Sequence, residues 1–229
     1  MTHTYIQGTG EFKAGFFPFR LFSGRALIVV FSLILATALI WFLSMARVAD
    51  LGSGSNLASS GLIELWKHGD VVVMIRHAER CDRSPNRCLG SADGITVNGS
   101  QAASDVGAGL QRLGLERAHL IASPLTRTQQ TATYIAGQTV ISQDWVGNCD
   151  THFKNEVVGH KTKGENLILI THSGCIDHFE RTMGVTAGAR SSEYAEAFFV
   201  AMDGKTVPRI LGSLNALQWK ALTHEQLHK

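Results

Sequence analysis

Arg76 and His77 stand side by side directly after the apolar run Val71–Ile75, Ser123 and Arg127 follow a second apolar run, and His172 follows a third. Two guanidiniums supply planar, permanently charged forks that match phosphate oxygens. An imidazole nitrogen can attack phosphorus in line and hold the group as a phosphohistidine, splitting one difficult transfer into two easier ones. A cationic clamp stabilises charge on the equatorial oxygens as the transition state forms. His77 is therefore a candidate nucleophile beside a candidate phosphate clamp, and the scheme calls for no metal and no cofactor.

The elements that must carry these residues follow from the pattern. Val71–Ile75 contains no polar residue, as in a strand buried on both faces of a parallel sheet. Polarity flips at Arg76, which places Arg76 and His77 at the carboxyl edge, where open α/β sheets bind ligands. His119–Ala122 reads as a second strand that stops at Ser123-Pro124, and Thr126–Ala136 as a helix with Arg127 in its first turn. Leu167–Ile170 reads as a third strand. Parallel strands of one sheet would bring the three sets of residues together. Ala102, Val106, Leu110 and Leu113 recur at helical spacing behind Thr96, an available cap, and that helix ends near Gly114. Leu57–Lys67 predicts a short helix, Val140–Trp145 a further short strand, Ala197–Met202 and Lys205–Ile210 a hairpin through Asp203-Gly204, and the tail from Leu214 a helix. The alternation predicts an α/β fold with a mostly parallel central sheet.

The N-terminus carries a different signal. Ala26–Ala46 has no charged residue and is close to the ~20 residues that span a bilayer. Lys13, Arg20 and Arg25 precede it, which favours a cytoplasmic segment 1–25, a single-pass anchor 26–46 and an exported remainder. The apolar region exceeds the 7–15 residues of a typical signal peptide, so a retained anchor is expected. Residues 47–60 include the Gly/Ser-rich stretch Asp50–Ser60 and read as a flexible linker to a domain at 61–229. Lys13, Arg20, Arg25 and Glu11 account for the formal net charge of +2, and the neutral remainder gives no reason to expect a nucleic-acid partner. Cys81, Cys88, Cys149 and Cys175 lack the paired spacing of a zinc site. In an oxidising compartment they should not all stay free: pairing Cys81 with Cys88 closes a small loop around Pro85 and leaves Cys149 for Cys175.

Three motifs carry a family resemblance: Arg76-His77-Ala78, the segment from Ser123-Pro124 through Arg127 to Thr131-Ala132, and Thr171-His172-Ser173-Gly174. In type and order they resemble the histidine phosphatase superfamily, which includes the cofactor-dependent phosphoglycerate mutases. The resemblance runs from about Val71 to Cys175. It implies a phosphoglycerate mutase-like three-layer sandwich, His77 as nucleophile, and Arg76, Arg127 and His172 as the phosphate pocket. The stretch Arg76–Gly90, followed by Gly94–Gly99, is most similar to the periplasmic lipopolysaccharide core heptose phosphatases, which share Ala78 and have Cys at positions matching all four here. That subgroup places a Glu shortly after its third Cys, whereas this chain has Asp150, His152 and then Glu156 after Cys149. Glu156 is taken as the general acid, with Asp150 and His152 as the alternatives.

Arg80 and Arg83 could contact an acidic substrate beside the pocket. Little chain remains between Arg127 and His172 for a covering lid, which suits a bulky phosphosugar or glycolipid. The expected function is an inner-membrane phosphatase with its catalytic domain in the periplasm, acting on an envelope phosphomonoester such as a lipopolysaccharide core heptose phosphate. A broad small-molecule phosphatase or mutase, and a non-catalytic phosphate-binding protein, are the rival readings.

Overall fold

A computed structural model describes residues 24–43, 46–190, 192–204 and 207–222 of the chain. It divides into two compact units, Met1–Ser44 and Met45–Lys229. The described part of the first is α1, Gly24–Leu43, whose window Gly24–Trp41 has a mean hydropathy of 2.1 and no buried residue. This helix is long and apolar enough to cross a membrane. It stops short of the span expected to reach Ala46, which instead belongs to the second unit and bridges Val185. Most of the expected cytoplasmic segment lies outside the described residues.

The second unit is built on one five-stranded sheet in the order β2-β3-β1-β4-β5. Its strands are β1 (Val71–Arg76), β2 (Ala118–Ala122), β3 (Asn166–Thr171), β4 (Ala197–Ala201) and β5 (Arg209–Leu214). The first three are mutually parallel, and β4 and β5 add as an antiparallel edge. Side chains along β1 alternate between two cores, as the two-residue period of a strand requires. Val71, Val73 and Ile75 join Ile168, Ile170 and Phe199 beneath α4 (Val97–Leu113), α5 (Thr126–Ala136) and α8 (Ala216–Ala221). Val72 and Met74 join Leu167, Leu169, Phe198 and Val200 beneath α6 (Phe153–His160) and α7 (Ser173–Thr182). The result is the expected three-layer sandwich. Each face has its own apolar layer, so β1 and β3 read as unbroken hydrophobic runs.

The long helix α4 starts where Thr96 Oγ1 accepts from the Gly99 amide at 2.9 Å, the cap anticipated from sequence. A Cβ at Gly107 would lie 2.3 Å from the Ile135 carbonyl oxygen, so α4 and α5 approach closely only because that side chain is absent.

Four expectations need correction. The helix expected over Leu57–Lys67 is two helices, α2 (Asn56–Ser60) and α3 (Leu62–His68), broken at Gly61, whose φ is +75°. Residues 47–60 do not behave as a flexible linker. Leu51 is buried, its amide donates to Ser213 O at 3.0 Å, and Ser213 returns a bond to Ala49 O at 2.8 Å, so this segment lies along β5. The Gly/Ser composition serves the turn that follows, where Asp50 accepts from the Gly52 amide and the Ser53 hydroxyl. Val140–Trp145 is not a strand: it makes a single bridge, Ser142 to Ala122, before a 3-10 turn at Asp144–Gly147 buries Val146. The second hairpin strand begins only at Arg209, beyond Lys205 and Thr206, which lie outside the described residues. The predicted tail helix is α8, closed by a capping box in which Asn215 and Gln218 each accept the other's backbone amide.

One buried group lies apart from any sheet edge. Glu180 on α7 is 1% exposed, and its Oε1 has no hydrogen-bond partner among the described residues. Burial first, then the neighbouring Asp177 and Glu196, push its carboxyl from 4.5 up to about 7, against the opposing pull of Arg190. Between those two values the folded state holds a proton that the unfolded chain has released, so this contribution to stability falls as pH rises and is fully lost above about 7. Glu180→Gln should therefore be more stable than the wild type at pH 8, by up to about 3 kcal/mol, with the advantage shrinking toward pH 5. Urea unfolding at the two pH values checks this; an advantage independent of pH would contradict it.

Candidate active site

Strand register assembles the site. Arg76 lies opposite Thr171 in the parallel β1–β3 ladder, the His77 amide donates to Thr171 O at 2.9 Å, and the Ser123 amide donates to Ile170 O at 3.0 Å. The three strand ends are thus level, and His77, His172 and Ser123 emerge beside one another. The His77 and His172 rings are 5.5 Å apart between centroids and meet edge to face at 62°.

The hydrogen bonds fix a tautomer for each ring. His77 Nδ1 is 2.9 Å from the Ala78 carbonyl, which can only accept, so Nδ1 carries the proton and Nε2 keeps its lone pair. His172 Nδ1 faces an Arg127 amino group at 3.4 Å, so it accepts, and His172 Nε2–H donates to Ser123 Oγ at 2.9 Å. Burial, followed by the charges of His172, Arg127 and Arg76, lowers His77 to about 3 against the pull of its Ala78 bond. Burial, Arg127 and Arg80 lower His172 to about 4. Both imidazoles are therefore neutral near pH 7.

Arg76 donates to Ser192 O at 2.7 Å, and its guanidinium carbon lies 3.9 Å from the centre of the Tyr194 ring. Arg76 and Arg127 are lowered mainly by burial and share Arg80 and Arg83 as like-charged neighbours. The Nε atoms of both are buried without an acceptor among the described residues. Desolvated guanidiniums with unfilled donors favour an anion.

The surrounding loops brace this cluster. Thr131 Oγ1 accepts from the Ala78 amide at 2.9 Å and donates to Arg127 O at 2.7 Å, tying α5 to the turn after His77. Glu79 accepts from Thr96 Oγ1 at 2.6 Å, from Ser84 Oγ at 2.9 Å and from Asn86, so one carboxylate closes the loop that carries Arg80 and Arg83. A disulfide joins Cys149 to Cys175, with a Cα–Cα distance of 4.2 Å. Thr171 Oγ1 donates to Val146 O at 2.6 Å, and a Cβ at Gly147 would lie 3.0 Å from Ser123 Oγ.

Comparison with known proteins bears on what this cluster is. The profile of the histidine phosphatase superfamily (branch 1) matches residues 72–145. A lipopolysaccharide core heptose(II)-phosphate phosphatase of Salmonella typhi is 32% identical over 185 residues, covering 76% of this chain and 92% of that protein. The chain belongs to the histidine phosphatase superfamily. A lipopolysaccharide core heptose(II)-phosphate phosphatase of Escherichia coli K12 is 31% identical over 154 residues, 62% of this chain and 76% of that one. In fold, the chain is similar to the protein histidine phosphatase SixA, solved with tungstate, at a TM-score of 0.53 and 14% identity over 64% of this chain and 97% of that one. This histidine phosphatase is an enzyme of phosphate-ester chemistry.

Of the residues singled out from sequence, the histidine phosphatase fold gathers His77, His172, Arg76 and Arg127, with Arg80 and Arg83 at the rim. Arg80 is held by both oxygens of Asp82, whereas the exposed Arg83 side chain has no such partner among the described residues. Glu156 is not brought to the pocket. It sits half-exposed on α6, 3.7 Å from His160, whose ring stacks on Trp145 at 4.2 Å. Asp150 is exposed and accepts from the His152 amide at 2.8 Å, and none of Asp150, His152 and Glu156 bonds to the imidazoles of His77 and His172 or the guanidiniums of Arg76 and Arg127. Phe153 and Val157 anchor α6 in the apolar layer on that face of the sheet, and Glu156 lies between them in sequence on its exposed side. The carboxylates facing Arg127 are Asp82 and Asp93, both held below the usual range by hydrogen bonds, from Arg80 and from Thr126 respectively. The Cys81–Cys88 bridge is absent: both are free thiols, and the buried Cys81 Sγ donates to Ile95 O at 3.1 Å. Tyr194 and Asp82 escaped the sequence reading because no periodicity marks them. Thr131 was within reach, since it belongs to the motif that contains Arg127.

Two outcomes follow. ¹⁵N NMR of the imidazoles should show His77 protonated at Nδ1 and His172 at Nε2, both remaining neutral down to about pH 5; titration of either near 6.5 would contradict the buried, cation-flanked site. Glu156→Gln should leave kcat/KM for sugar phosphates within about 2-fold, because proton donation by a positioned acid is worth ~10²–10⁴-fold and Glu156 is not so positioned; a loss of that size would restore it as the acid.

Proposed function

We propose that this protein is a membrane-anchored phosphatase that hydrolyses a phosphorylated sugar of the cell envelope, such as a lipopolysaccharide core heptose phosphate, through a phosphohistidine at His77. The observation that carries this reading is the tautomer of His77. With Nδ1–H held by Ala78 O, the Nε2 lone pair is available beside two half-buried guanidiniums whose Nε atoms have no acceptor among the described residues. In the first step Nε2 attacks phosphorus, the bond from phosphorus to the sugar oxygen breaks, and that oxygen leaves as the alcohol with a proton taken from solvent water, which the second step returns. Arg76 and Arg127 hold the equatorial oxygens, and His172, bonded to Ser123 and Arg127, keeps the Arg127 fork in place. In the second step water attacks phosphorus, the N–P bond breaks, and inorganic phosphate and neutral His77 are regenerated. Arg80 and Arg83 meet the anionic surroundings of the ester.

The substrate class is supported by the relatives, which are named for heptose(II) phosphate of the lipopolysaccharide core. The anchor is supported by α1, and export to the periplasm by Lys13, Arg20 and Arg25 before it and by the Cys149–Cys175 disulfide after it. On this reading the catalytic unit is Met45–Lys229 and residues 1–25 begin in the cytoplasm.

The full chain in detergent, given ³²P-labelled lipopolysaccharide core for a short interval, should carry one acid-labile phosphate, and His77→Ala should lose both the label and turnover. Labelling that survives in His77→Ala would overturn the assignment of the nucleophile.

A further inference from the structure

Residues 192–196, just before β4, hold both the backbone and the guanidinium of Arg76. The Arg76 amide donates to Glu196 O at 3.1 Å, its carbonyl accepts from the Ala195 amide at 3.1 Å, its guanidinium donates to Ser192 O at 2.7 Å, and the Tyr194 ring covers the guanidinium face. Ala195 is the one non-glycine residue with positive φ among the described residues, at +58°. A left-handed alanine is strained and persists only where its surroundings over-determine it. Here they do: its amide is held by Arg76 O and, at 3.5 Å, by His77 O, and its side chain is fully buried. The turn is closed by two bonds between Glu193 and Glu196, the Glu196 amide donating to Glu193 O at 3.2 Å and the Glu193 amide to the Glu196 carboxylate.

This kink presents Tyr194 at the pocket. Its ring centroid lies 5.8 Å from that of His77, tilted by 43°, and 3.9 Å from the Arg76 guanidinium carbon. Tyr194 is also an electrostatic neighbour of Arg80. The side chain is partly exposed while its ring stands against the Arg76 guanidinium. An aromatic face over a guanidinium restricts the plane of the fork, and an aromatic surface beside a phosphate pocket offers packing to the ring of a sugar.

We propose that Tyr194 is a positioning and specificity residue: its ring sets the plane of Arg76 for the phosphate and forms the wall against which the leaving sugar packs. The inference rests on the proposed phosphohistidine reading, in which Arg76 holds phosphate oxygens. It assigns a function to the strained backbone at Ala195, the kink that presents Tyr194 beside Arg76.

Three probes separate the parts: inorganic phosphate as a competitive inhibitor, methyl phosphate, whose leaving group is too small to reach the wall, and phosphorylated lipopolysaccharide core oligosaccharide. Tyr194→Leu should weaken phosphate inhibition by ~10-fold and lower kcat/KM for methyl phosphate by a similar factor, the scale of a desolvated cation–π contact. For the oligosaccharide the loss should be larger by a further ~5-fold, carried mainly by KM. Tyr194→Phe keeps the ring and should match the wild type within about 2-fold on all three. Thermal unfolding verifies that the Leu variant is folded, and Tyr194→Met serves the same comparison if it is not. Unchanged phosphate inhibition in the Leu or Met variant would overturn the positioning of Arg76; an equal loss on methyl phosphate and oligosaccharide would overturn the wall; a Phe variant as impaired as Leu would transfer both roles from the ring to the hydroxyl and overturn the inference. Failure of the underlying reading looks different, since it appears in the wild type, as absent phosphate release or as activity that survives His77→Ala.

Discussion

The level ending of three parallel strands is the constraint on which this enzyme depends. Because Arg76 pairs with Thr171 and the His77 and Ser123 amides both donate to β3 carbonyls, groups scattered across the sequence leave the sheet side by side. A shift of one residue in any of these pairings would turn every alternate side chain to the other face and take an imidazole or Ser123 out of the cluster. The pure apolar runs of β1 and β3 hold the register indirectly. Val71, Val73 and Ile75 fill one core and Val72 and Met74 the other, so a slip would be opposed on both faces at once.

The second constraint is electrostatic. Gathering Arg76, Arg127 and two imidazoles below the surface is unfavourable for charge, and the site meets this by keeping both rings neutral. A protonated ring beside two guanidiniums would add repulsion, whereas a neutral one supplies a lone pair. The same burial leaves the guanidinium Nε donors short of acceptors. The cluster is thus least satisfied when it stands alone and best satisfied around a tetrahedral oxyanion. The preorganisation that strains the free protein is the form in which such sites stabilise a transition state.

After the structure, the division between what was legible and what was not has physical reasons. Strands buried on both faces, the helix capped by Thr96 and the Arg and His residues at strand ends were legible because each leaves a local signature: an apolar run, a helical repeat, an abrupt change of polarity. Val140–Trp145 deceived because a short apolar run cannot distinguish a strand from a segment that makes one bridge and then turns inward through Val146. The Gly/Ser stretch after α1 looked like a linker because turn residues and linker residues are the same residues; Leu51 alone hinted at burial. Glu156 was chosen by order along the chain, and order does not say which way a helix points. Tyr194, Glu79 and Asp82 act through contacts made across loops, which no local pattern records.

The disulfide shows how the site's last boundary is held. Cys149 and Cys175 connect the turn after Val146 to the first turn of α7, three residues beyond His172. The same two segments are also joined where Thr171 Oγ1 meets Val146 O, and they close over Ser123 at Gly147, where a side chain would press on Ser123 Oγ. His172 is thereby fixed from both sides: its backbone by β3 and the disulfide-braced helix, its ring by Ser123 and Arg127. A ring held in this way keeps its tautomer, with Nε2–H toward Ser123 and Nδ1 toward Arg127. Arg127 in turn keeps its orientation without any carboxylate bonded to it, which would compete with phosphate for the same fork. Holding a guanidinium with a neutral imidazole rather than an acid leaves its charge available to an anion, and the covalent brace ties the segment before His172 to the helix after it.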